Sequence, residues 1–280
     1  MRRVDSDMNS RVSSQPIQHA RKTLRVAAVS YLNAKPLIYG LEDSQTIDLQ
    51  LGVPSALLDG LRERTSDVAL LPVIDYQRLD GLRIIPAGGI GCDGPTLTVR
   101  IFSRRPIREI RTLECDSDSH TSVALARVIL AEHFGITPEF AGLSPASDRD
   151  AKLLIGDKVI CEPPRNMEHQ LDLGQAWKEM TGLPFVFAAW MARPGVELGD
   201  LPARLERAKR RGLAHVNEII ARHALPRGWP AAIALQYLTT YLKYDIGERQ
   251  LEAIRVFHKL AAKHGMIEGP PRELTGVDGG

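Results

Sequence analysis

The chain has 280 residues, of which 44% are hydrophobic and 25% charged, as in an ordinary globular protein. Its net charge is only +2, so the composition gives no electrostatic case for a nucleic-acid partner. Three widely spaced cysteines without a CxxC pair argue against a disulfide framework or a zinc site. The length suits one large domain or two lobes of about 100–150 residues each.

Residues 1–22 are polar and basic and lack an apolar signal-peptide core, so we predict a disordered tail there. No segment approaches the ~18 apolar residues of a membrane span. We therefore expect a cytoplasmic protein with no membrane partner, and the sequence leaves its oligomeric state open.

The first predicted strand is "LRVAAV", and it runs into the polar stretch "SYLNAKPL" at residues 30–37. This pattern is typical of a strand that passes into a loop facing a ligand. The open question is which of the side chains of Tyr31, Asn33 and Lys35 point toward a ligand.

Apolar runs and helical patterns then alternate along the chain. A helix is predicted at 53–66, and buried strands at 67–73 and 82–87. Near-continuous apolar strands favour a parallel sheet covered on both faces, hence an α/β fold. A glycine-rich loop is predicted at 87–95, followed by a strand at 96–103.

The second half of the chain repeats this alternation before it becomes helical. The stretch "DSDSHTS" feeds a helix that Ser119, Thr121 or Ser122 can cap and that Gly135 ends. Further elements are predicted in chain order: strands at 150–156, 157–162 and 182–192, then helices from Leu198 to Gly265.

These elements suggest two lobes with a cleft between them, at the loops that follow the strands. The predicted division has four parts: a tail at 1–22, lobe 1 from 23–97 plus 189–268, lobe 2 from 98–188, and a loose tail at 269–280.

Two polar turns are candidate anion sites. At Ser119, His120, Thr121 and Ser122, free backbone N–H groups and the helix dipole would favour a carboxylate, although plain helix capping is the alternative. In "CDGPT", Asp93, Gly94 and Thr96 could expose N–H groups similarly, or form an ordinary turn. Because no histidine pattern, GxSxG or P-loop is present, we predict no metal and no cofactor. The residues alone suggest a small carboxylated ligand.

Longer motifs allow a family comparison. The segments "VSYLNAKPL", "DVALLPVIDYQRLDGLRIIP", "CDGPTLTVRIFS" and "DSDSHTSVALARVIL" together resemble the chorismate dehydratase family, which acts first in the futalosine route to menaquinone. The resemblance runs from about Leu24 to Gly265. It implies the α/β fold of type II periplasmic solute-binding proteins, with two lobes, a hinged cleft and C-terminal helices. It also implies a lyase that dehydrates chorismate to 3-[(1-carboxyvinyl)oxy]benzoate.

The resemblance implies roles for particular residues. Asn33 and Thr98 would be catalytic, and Thr98 stands where the family motif would have serine, so the hydroxyl is retained. Substrate would be bound by Tyr31, Asp93, Gly94, Thr96, Ser119, His120, Thr121, Ser122 and Asp157. Asp157 is either a base or a cap on its turn. The proton acceptor is either a protein group or the enolpyruvyl carboxylate of the substrate.

Two alternatives remain open at the level of sequence. The first is a non-catalytic binding protein for a carboxylated ligand, which the missing signal peptide argues against. The second is the sister enzyme acting on cyclic dehypoxanthine futalosine, which shares the fold. Its first loop is of a Pro-Asn-Asp type, unlike "SYLNAKPL".

Overall fold

The computed structural model describes residues 23–115, 120–144 and 149–276. The predicted N-terminal tail and the candidate residue Ser119 lie outside these ranges. The strands are β1 (Leu24–Val29), β2 (Ile47–Gly52), β3 (Val68–Pro72), β4 (Arg83–Cys92), β5 (Val99–Ser103), β6 (Thr112–Cys115), β7 (Glu139–Gly142), β8 (Ala151–Ile155), β9 (His169–Asp172), β10 (Phe185–Ala192) and β11 (Leu242–Lys243).

The α-helices are α1 (Lys35–Ile38), α2 (Pro54–Arg62), α3 (His120–Glu132), α4 (Asp157–Cys161), α5 (Leu173–Thr181), α6 (Leu201–Ala214), α7 (Val216–Ile219), α8 (Ala231–Gln236) and α9 (Glu248–Lys263). Four 3₁₀ turns (Leu32–Ala34, Val73–Arg78, Ile107–Glu109, Leu225–Arg227) and two π-helical turns (Ile220–Ala224, Tyr237–Tyr241) complete the helical segments of the described residues.

Among the described residues, the strands form two sheets, one for each lobe. The first has the order β11-β4-β10-β3-β1-β2, and the second has the order β7-β6-β8-β5-β9. The two-lobed α/β architecture is therefore confirmed, but the sheets are mixed rather than parallel. In the first sheet, β10 runs antiparallel to β3 and β4 because it returns from the second lobe. In the second, β5 runs antiparallel to β8 and β9.

The predicted glycine-rich loop at 87–95 is mostly strand, because β4 continues to Cys92. Its glycines serve close strand packing. A Cβ on Gly89 would lie 2.5 Å from the Ala188 carbonyl oxygen, and one on Gly91 would lie 2.6 Å from that of Phe185. The prediction was wrong because glycine within a strand marks a close backbone approach as well as a turn.

The predicted strand at 157–162 was also wrong, since this segment forms α4. Gly156, with φ of 62°, turns the chain sharply after β8. Val159 of the helix then packs with Phe102 and Leu154 in a small apolar cluster of the second lobe. A short apolar run cannot be assigned to strand or helix by periodicity alone.

The chain passes between the two sheets twice, from β4 to β5 and from β9 to β10. The predicted lobe boundary after residue 97 lies in the first passage. The boundary after residue 188 falls within β10, although all of β10 pairs within the first sheet. The division into lobes at these residues stays a prediction.

The described part of the predicted C-terminal tail is attached to the first lobe. The Tyr76 hydroxyl donates to the Glu273 carbonyl at 2.8 Å, and the Thr275 hydroxyl donates to the Leu82 carbonyl at 2.9 Å. The Ile84 amide also donates to the Thr275 carbonyl at 2.9 Å. Residues 272–275 therefore brace the turn at Val73–Arg78. Among the described residues, no helix combines the length and apolar character needed to cross a membrane.

The turn at Val73–Arg78 is also fixed by a buried histidine of α9. His258 Nε2 donates to the Val73 carbonyl at 2.8 Å, and its Nδ1 accepts from Gln77 Nε2 at 2.9 Å, which requires a neutral ring. Burial lowers the pKa of His258 to about 4, although the Val73 contact opposes this shift. The histidine is therefore neutral in the folded protein at any pH well above 4.

Acidification is expected to destabilise the protein through His258. Between pH 6.5, the ordinary value, and about 4, the unfolded chain binds one proton more than the folded one. This contribution to stability is complete above pH 6.5 and is lost as pH falls, by on the order of 3 kcal/mol at pH 4. Urea unfolding at several pH values measures how the free energy of unfolding depends on pH, and the slope gives the number of protons taken up on unfolding. In His258→Gln this number should be smaller by about one. An unchanged slope in the variant would contradict the assignment.

Candidate active site

A cavity of about 330 Å³ lies between the two lobes. Residues at the ends of strands from both sheets contribute to its wall, among them Val29 and Pro72 of the first and Val99 and Ile155 of the second. Most of the exposed wall is apolar, and polar groups project at a few points. Such a cavity is the ordinary form of a small-molecule site.

Most of the described residues predicted from sequence line this cavity: Tyr31, Asn33, Thr96, Thr98, His120, Thr121, Ser122 and Asp157. They come from distant parts of the chain, so the fold brings together what the sequence separates. Lys35 contributes instead to a separate cavity of about 270 Å³. Burial, together with the nearby Arg227, lowers the pKa of its amine.

Asp93 and Gly94 are not among the residues that line the cavity. The Asp93 carboxylate accepts a hydrogen bond from Lys178 Nζ at 2.5 Å. The neighbouring turn is closed by Asp172, whose two carboxylate oxygens each accept a backbone N–H at 2.9 Å, from Thr96 and Leu97. These two amides are therefore already bound within the protein.

Three neutral side chains meet on one side of the cavity. Thr98 Oγ1 donates to the hydroxyl oxygen of Tyr237 at 2.9 Å, and the Asn33 side chain hydrogen-bonds the same oxygen. Burial raises the pKa of Tyr237 to about 12, so the phenol remains protonated at neutral pH. Because its oxygen already accepts these bonds, the phenol proton can be donated to a bound ligand.

The backbone of Asn33 is anchored by its buried neighbours. It sits in the turn Leu32–Ala34, whose two flanking residues are buried in the core. Its Oδ1 atom is buried and has no hydrogen-bond partner among the described residues. Leaving such an acceptor unpaired costs about 1–3 kcal/mol, so a ligand hydroxyl or amide that donates to it would recover that cost.

The start of α3 forms a second polar wall. Thr121 and Ser122 are both 3% exposed, and both line the cavity. The Thr121 hydroxyl is buried and unpartnered within the described residues. The first amides of a helix have no carbonyl partner inside the helix and carry a partial positive charge. This wall is therefore suited to an anionic group, and a carboxylate would accept from both the hydroxyl and the amides.

Asp157, the first residue of α4, is held by residues from beyond β10. Trp229 Nε1 donates to its Oδ1 at 2.7 Å, and Arg227 Nε lies 3.7 Å from its Oδ2. These contacts use part of its hydrogen-bonding capacity and connect the second lobe to the C-terminal helices.

Among the residues at the site that the sequence prediction missed are Tyr237, Trp229 and Asp75. Tyr237 and Trp229 carry no local signal, because an aromatic residue in a helical pattern is usually a core residue. Asp75 lies outside the cavity wall but contacts His120. Within the described ranges, no group of three or more His, Cys, Asp or Glu side chains is arranged to hold a metal ion.

The fold is similar to that of several solved structures. A protein from Archaeoglobus fulgidus superimposes with a TM-score of 0.71 at 19% identity, covering 89% of this chain and 100% of that one. The periplasmic aliphatic sulphonate-binding protein of Escherichia coli superimposes with a TM-score of 0.64 at 13% identity, covering 92% and 95%. The predicted periplasmic-binding-protein-like fold is thus confirmed.

Sequence comparison adds the family. The chorismate dehydratase of Thermus thermophilus is 28% identical over 217 residues, covering 69% of this chain and 79% of that protein. The chorismate dehydratase of Campylobacter jejuni is 29% identical over 163 residues, covering 56% and 58%. A family model described as menaquinone biosynthesis matches residues 24–263. The resemblance identified from the motifs is confirmed, and the chain belongs to the menaquinone biosynthesis family.

Proposed function

We propose that this protein is a chorismate dehydratase that forms 3-[(1-carboxyvinyl)oxy]benzoate, the step that opens the futalosine route to menaquinone. The observation that carries the proposal is the pairing of two unlike walls in one interlobe cavity. One wall offers the start of α3 with the unpartnered Thr121 hydroxyl, and the other offers the Asn33, Thr98 and Tyr237 group. The chorismate dehydratases of Thermus thermophilus and Campylobacter jejuni support the assignment.

Chorismate has the features that these two walls would recognise. It carries two carboxylates, an enolpyruvyl ether and, on the neighbouring ring carbon, a hydroxyl. A carboxylate would bind at the start of α3, where backbone amides and a hydroxyl donate. The ring hydroxyl would donate to Asn33 Oδ1, and the Tyr237 phenol would donate to the oxygen of that hydroxyl.

The reaction breaks the C–H bond beside the ether and the C–O bond of the adjacent hydroxyl, and it forms a C=C bond that makes the ring aromatic. The hydroxyl leaves as water after it gains a proton. Aromatisation supplies a large driving force, so the main tasks of the protein are positioning and electrostatic stabilisation. The proton acceptor is either the enolpyruvyl carboxylate of the substrate or a protein group.

The direct test is to incubate the purified protein with chorismate and follow its ultraviolet absorbance. We expect the diene absorbance to be replaced by that of a benzoate, with one product whose mass is that of chorismate less one water. A protein that binds chorismate tightly but leaves it unchanged in every buffer would be a binding protein instead. Conversion of cyclic dehypoxanthine futalosine in place of chorismate would identify the sister enzyme.

Removing the hydroxyl of Tyr237 should lower the turnover number while the aromatic ring stays in the cavity wall. In Tyr237→Phe we expect the turnover number to fall by about 100-fold, because one donor to the reacting region is lost while the ring packing is kept. Thr98→Val is the matched variant, since it removes the hydroxyl that bonds the phenol. Steady-state kinetics of both variants test the group. Turnover within two-fold of the parent in both would contradict its role.

A further inference from the structure

We propose that Asp172 is a positioning residue for the reaction, which holds the turn between β4 and β5 so that the Thr98 hydroxyl stays bonded to the Tyr237 phenol. This inference rests on the proposed function and adds a residue that does not itself line the cavity. Asp172 ends β9 and directly precedes α5. It acts on the β4–β5 turn, residues 93–98, which is the first passage between the lobes.

The Asp172 carboxylate bonds the β4–β5 turn and α5 at the same time. Its Oδ1 accepts from the Thr96 amide and its Oδ2 accepts from the Leu97 amide, each at 2.9 Å. Oδ1 also accepts from the amides of Gly174 and Gln175, at 3.0 and 3.2 Å, which caps α5. The side chain is only 10% exposed, so water competes little for these charge-assisted bonds. The carboxylate therefore fixes the turn relative to the helix.

Leu97 shows that the β4–β5 turn needs such a restraint. Its φ is 69°, in the left-handed region that residues other than glycine rarely adopt. This conformation persists only where the surrounding structure holds it. The Leu97 amide is one of the two that Asp172 binds. Without the carboxylate we expect φ to relax, and the orientation of the next residue, Thr98, to change with it.

The start of α5 is packed closely against the same turn. A Cβ on Gly174 would lie 2.3 Å from Thr96 Cγ2 and 2.6 Å from the Gly94 carbonyl oxygen. Only glycine allows this approach. The helix that Asp172 caps is therefore in direct contact with the turn that Asp172 binds, and the carboxylate holds the turn from a packed position.

Thr96 connects this restraint to Thr98. Thr96 Oγ1 accepts from the amides of Thr98 and Val99, at 3.2 and 3.0 Å. The Thr98 carbonyl accepts from the Gly156 amide at 2.9 Å, so both polar groups of the Thr98 backbone are bonded. Thr96 and Thr98 are 1% and 3% exposed. With its backbone fixed in this way, Thr98 donates its hydroxyl to the Tyr237 oxygen at 2.9 Å.

These bonds decide what Tyr237 offers to a ligand. While Thr98 donates to the phenol oxygen, the phenol proton is directed to another acceptor. If Thr98 turns away, the oxygen can accept from the substrate hydroxyl instead, and the preorganised donor is lost. The carboxylate site at the start of α3 does not involve these groups. Loss of Asp172 should therefore lower the turnover number much more than it raises KM.

The test is steady-state kinetics of the full-length chain with chorismate on the parent, Asp172→Asn and Asp172→Ser. Asparagine keeps the shape and the cap but turns an NH₂ group toward one amide of the β4–β5 turn. Serine still caps α5 but is too short to accept from both amides of the turn. In each variant we expect the turnover number to fall by about 10-fold through misplacement of Thr98, with KM within three-fold of the parent.

Asp93→Ser is the matched control. Asp93 lies in the same turn and also contacts α5, through Lys178 Nζ at 2.5 Å, but it does not bind the amides of Thr96 and Leu97. Its turnover number should stay within two-fold of the parent. Turnover within two-fold of the parent in both Asp172 variants, or an equal loss in Asp93→Ser, would refute the positioning role.

A double variant shows whether Asp172 acts through Thr98. When Asp172→Asn is combined with Thr98→Val, the hydroxyl to be positioned is already absent. The turnover number of the double variant should therefore lie within two-fold of that of Thr98→Val alone. A general loss of structure would instead multiply the two effects, and that result would overturn the proposal.

Hydrogen exchange, followed by mass spectrometry, provides a readout that does not depend on catalysis. In both Asp172 variants the amides of residues 96–99 should exchange about 10-fold faster than in the parent, while those of β8 keep their rates. Equal rates at 96–99 in parent and variants would refute the restraint. A parent that never converts chorismate would refute the proposed function, whereas faster exchange in the variants would still support the hold of Asp172 on the turn. Circular dichroism melting verifies that each variant is folded.

Discussion

Asn33→Ala is expected to lower the turnover number for chorismate by about 100-fold or more while the fold is retained. The substitution removes the buried Oδ1 that lacks a partner in the described structure and the group that hydrogen-bonds the Tyr237 hydroxyl. Loss of a single preorganised polar contact to the reacting region typically costs 10²–10³ in turnover. Removing an unsatisfied buried acceptor should not destabilise the protein, so stability and activity should separate.

Lys35→Ala is the matched control for this prediction. Lys35 lies two residues further along the same polar stretch, but it lines the separate cavity with Tyr39 and His223. Its turnover should remain within two-fold of the parent. Kinetics and thermal melts of the two variants together test the assignment. Near-normal turnover in Asn33→Ala, or an equal loss in Lys35→Ala, would remove Asn33 from the reacting region.

Gly212→Ala is expected to destabilise the protein by about 3 kcal/mol or more, although alanine is the better helix former. Within a helix the exchange alone should stabilise by about 0.8–1 kcal/mol. Here, however, a Cβ on Gly212 would lie 2.2 Å from the Pro36 carbonyl oxygen and 2.6 Å from the Pro36 Cα. These are backbone atoms of α1, which cannot rotate aside as a side chain can, so α6 and α1 must separate.

The two effects of Gly212→Ala on stability have opposite signs, so a melting experiment distinguishes them. Helix propensity predicts a higher melting temperature and the steric contact predicts a lower one. Gly142→Ala serves as the control, because a Cβ there meets nothing within 4 Å. Its melting temperature should change little. Since α1 directly follows the turn that carries Asn33, Gly212→Ala should also lower turnover at temperatures where it remains folded. A melting temperature equal to or above the parent would refute the contact.

Two of the correctly predicted strands, β1 and β3, are mainly apolar runs. Every residue of β3 is buried, as is β1 from Val26 onward, and such runs bounded by turn signals are typical of central strands. β4 was predicted too short because its glycines were interpreted as a loop. In the structure these glycines allow β10 to approach closely. The difference is a packing relation between strands about 100 residues apart, which no local pattern records.

The residues of the site also divide into those with a local sequence signal and those placed by long-range packing. Asn33, Thr121 and Ser122 were predicted because each stands in a short motif with a recognisable chemical character. Tyr237 was missed because the hydrogen bonds that give it a role are with Thr98, 139 residues away, and with Asn33. A hydrogen bond over that separation depends on how the C-terminal helices pack on the cleft, which the sequence of either partner does not contain.

The order of strands in the first sheet also constrains how the chain can fold during its synthesis. β10 and β11 complete that sheet, yet they follow all five strands of the second sheet along the chain. The second sheet occupies one continuous stretch, so it can assemble while synthesis is still in progress. The first must wait for residue 243 to leave the ribosome. We therefore expect nascent chains that end before β10 to expose the edges of β3 and β4, and to depend on chaperones until synthesis is complete.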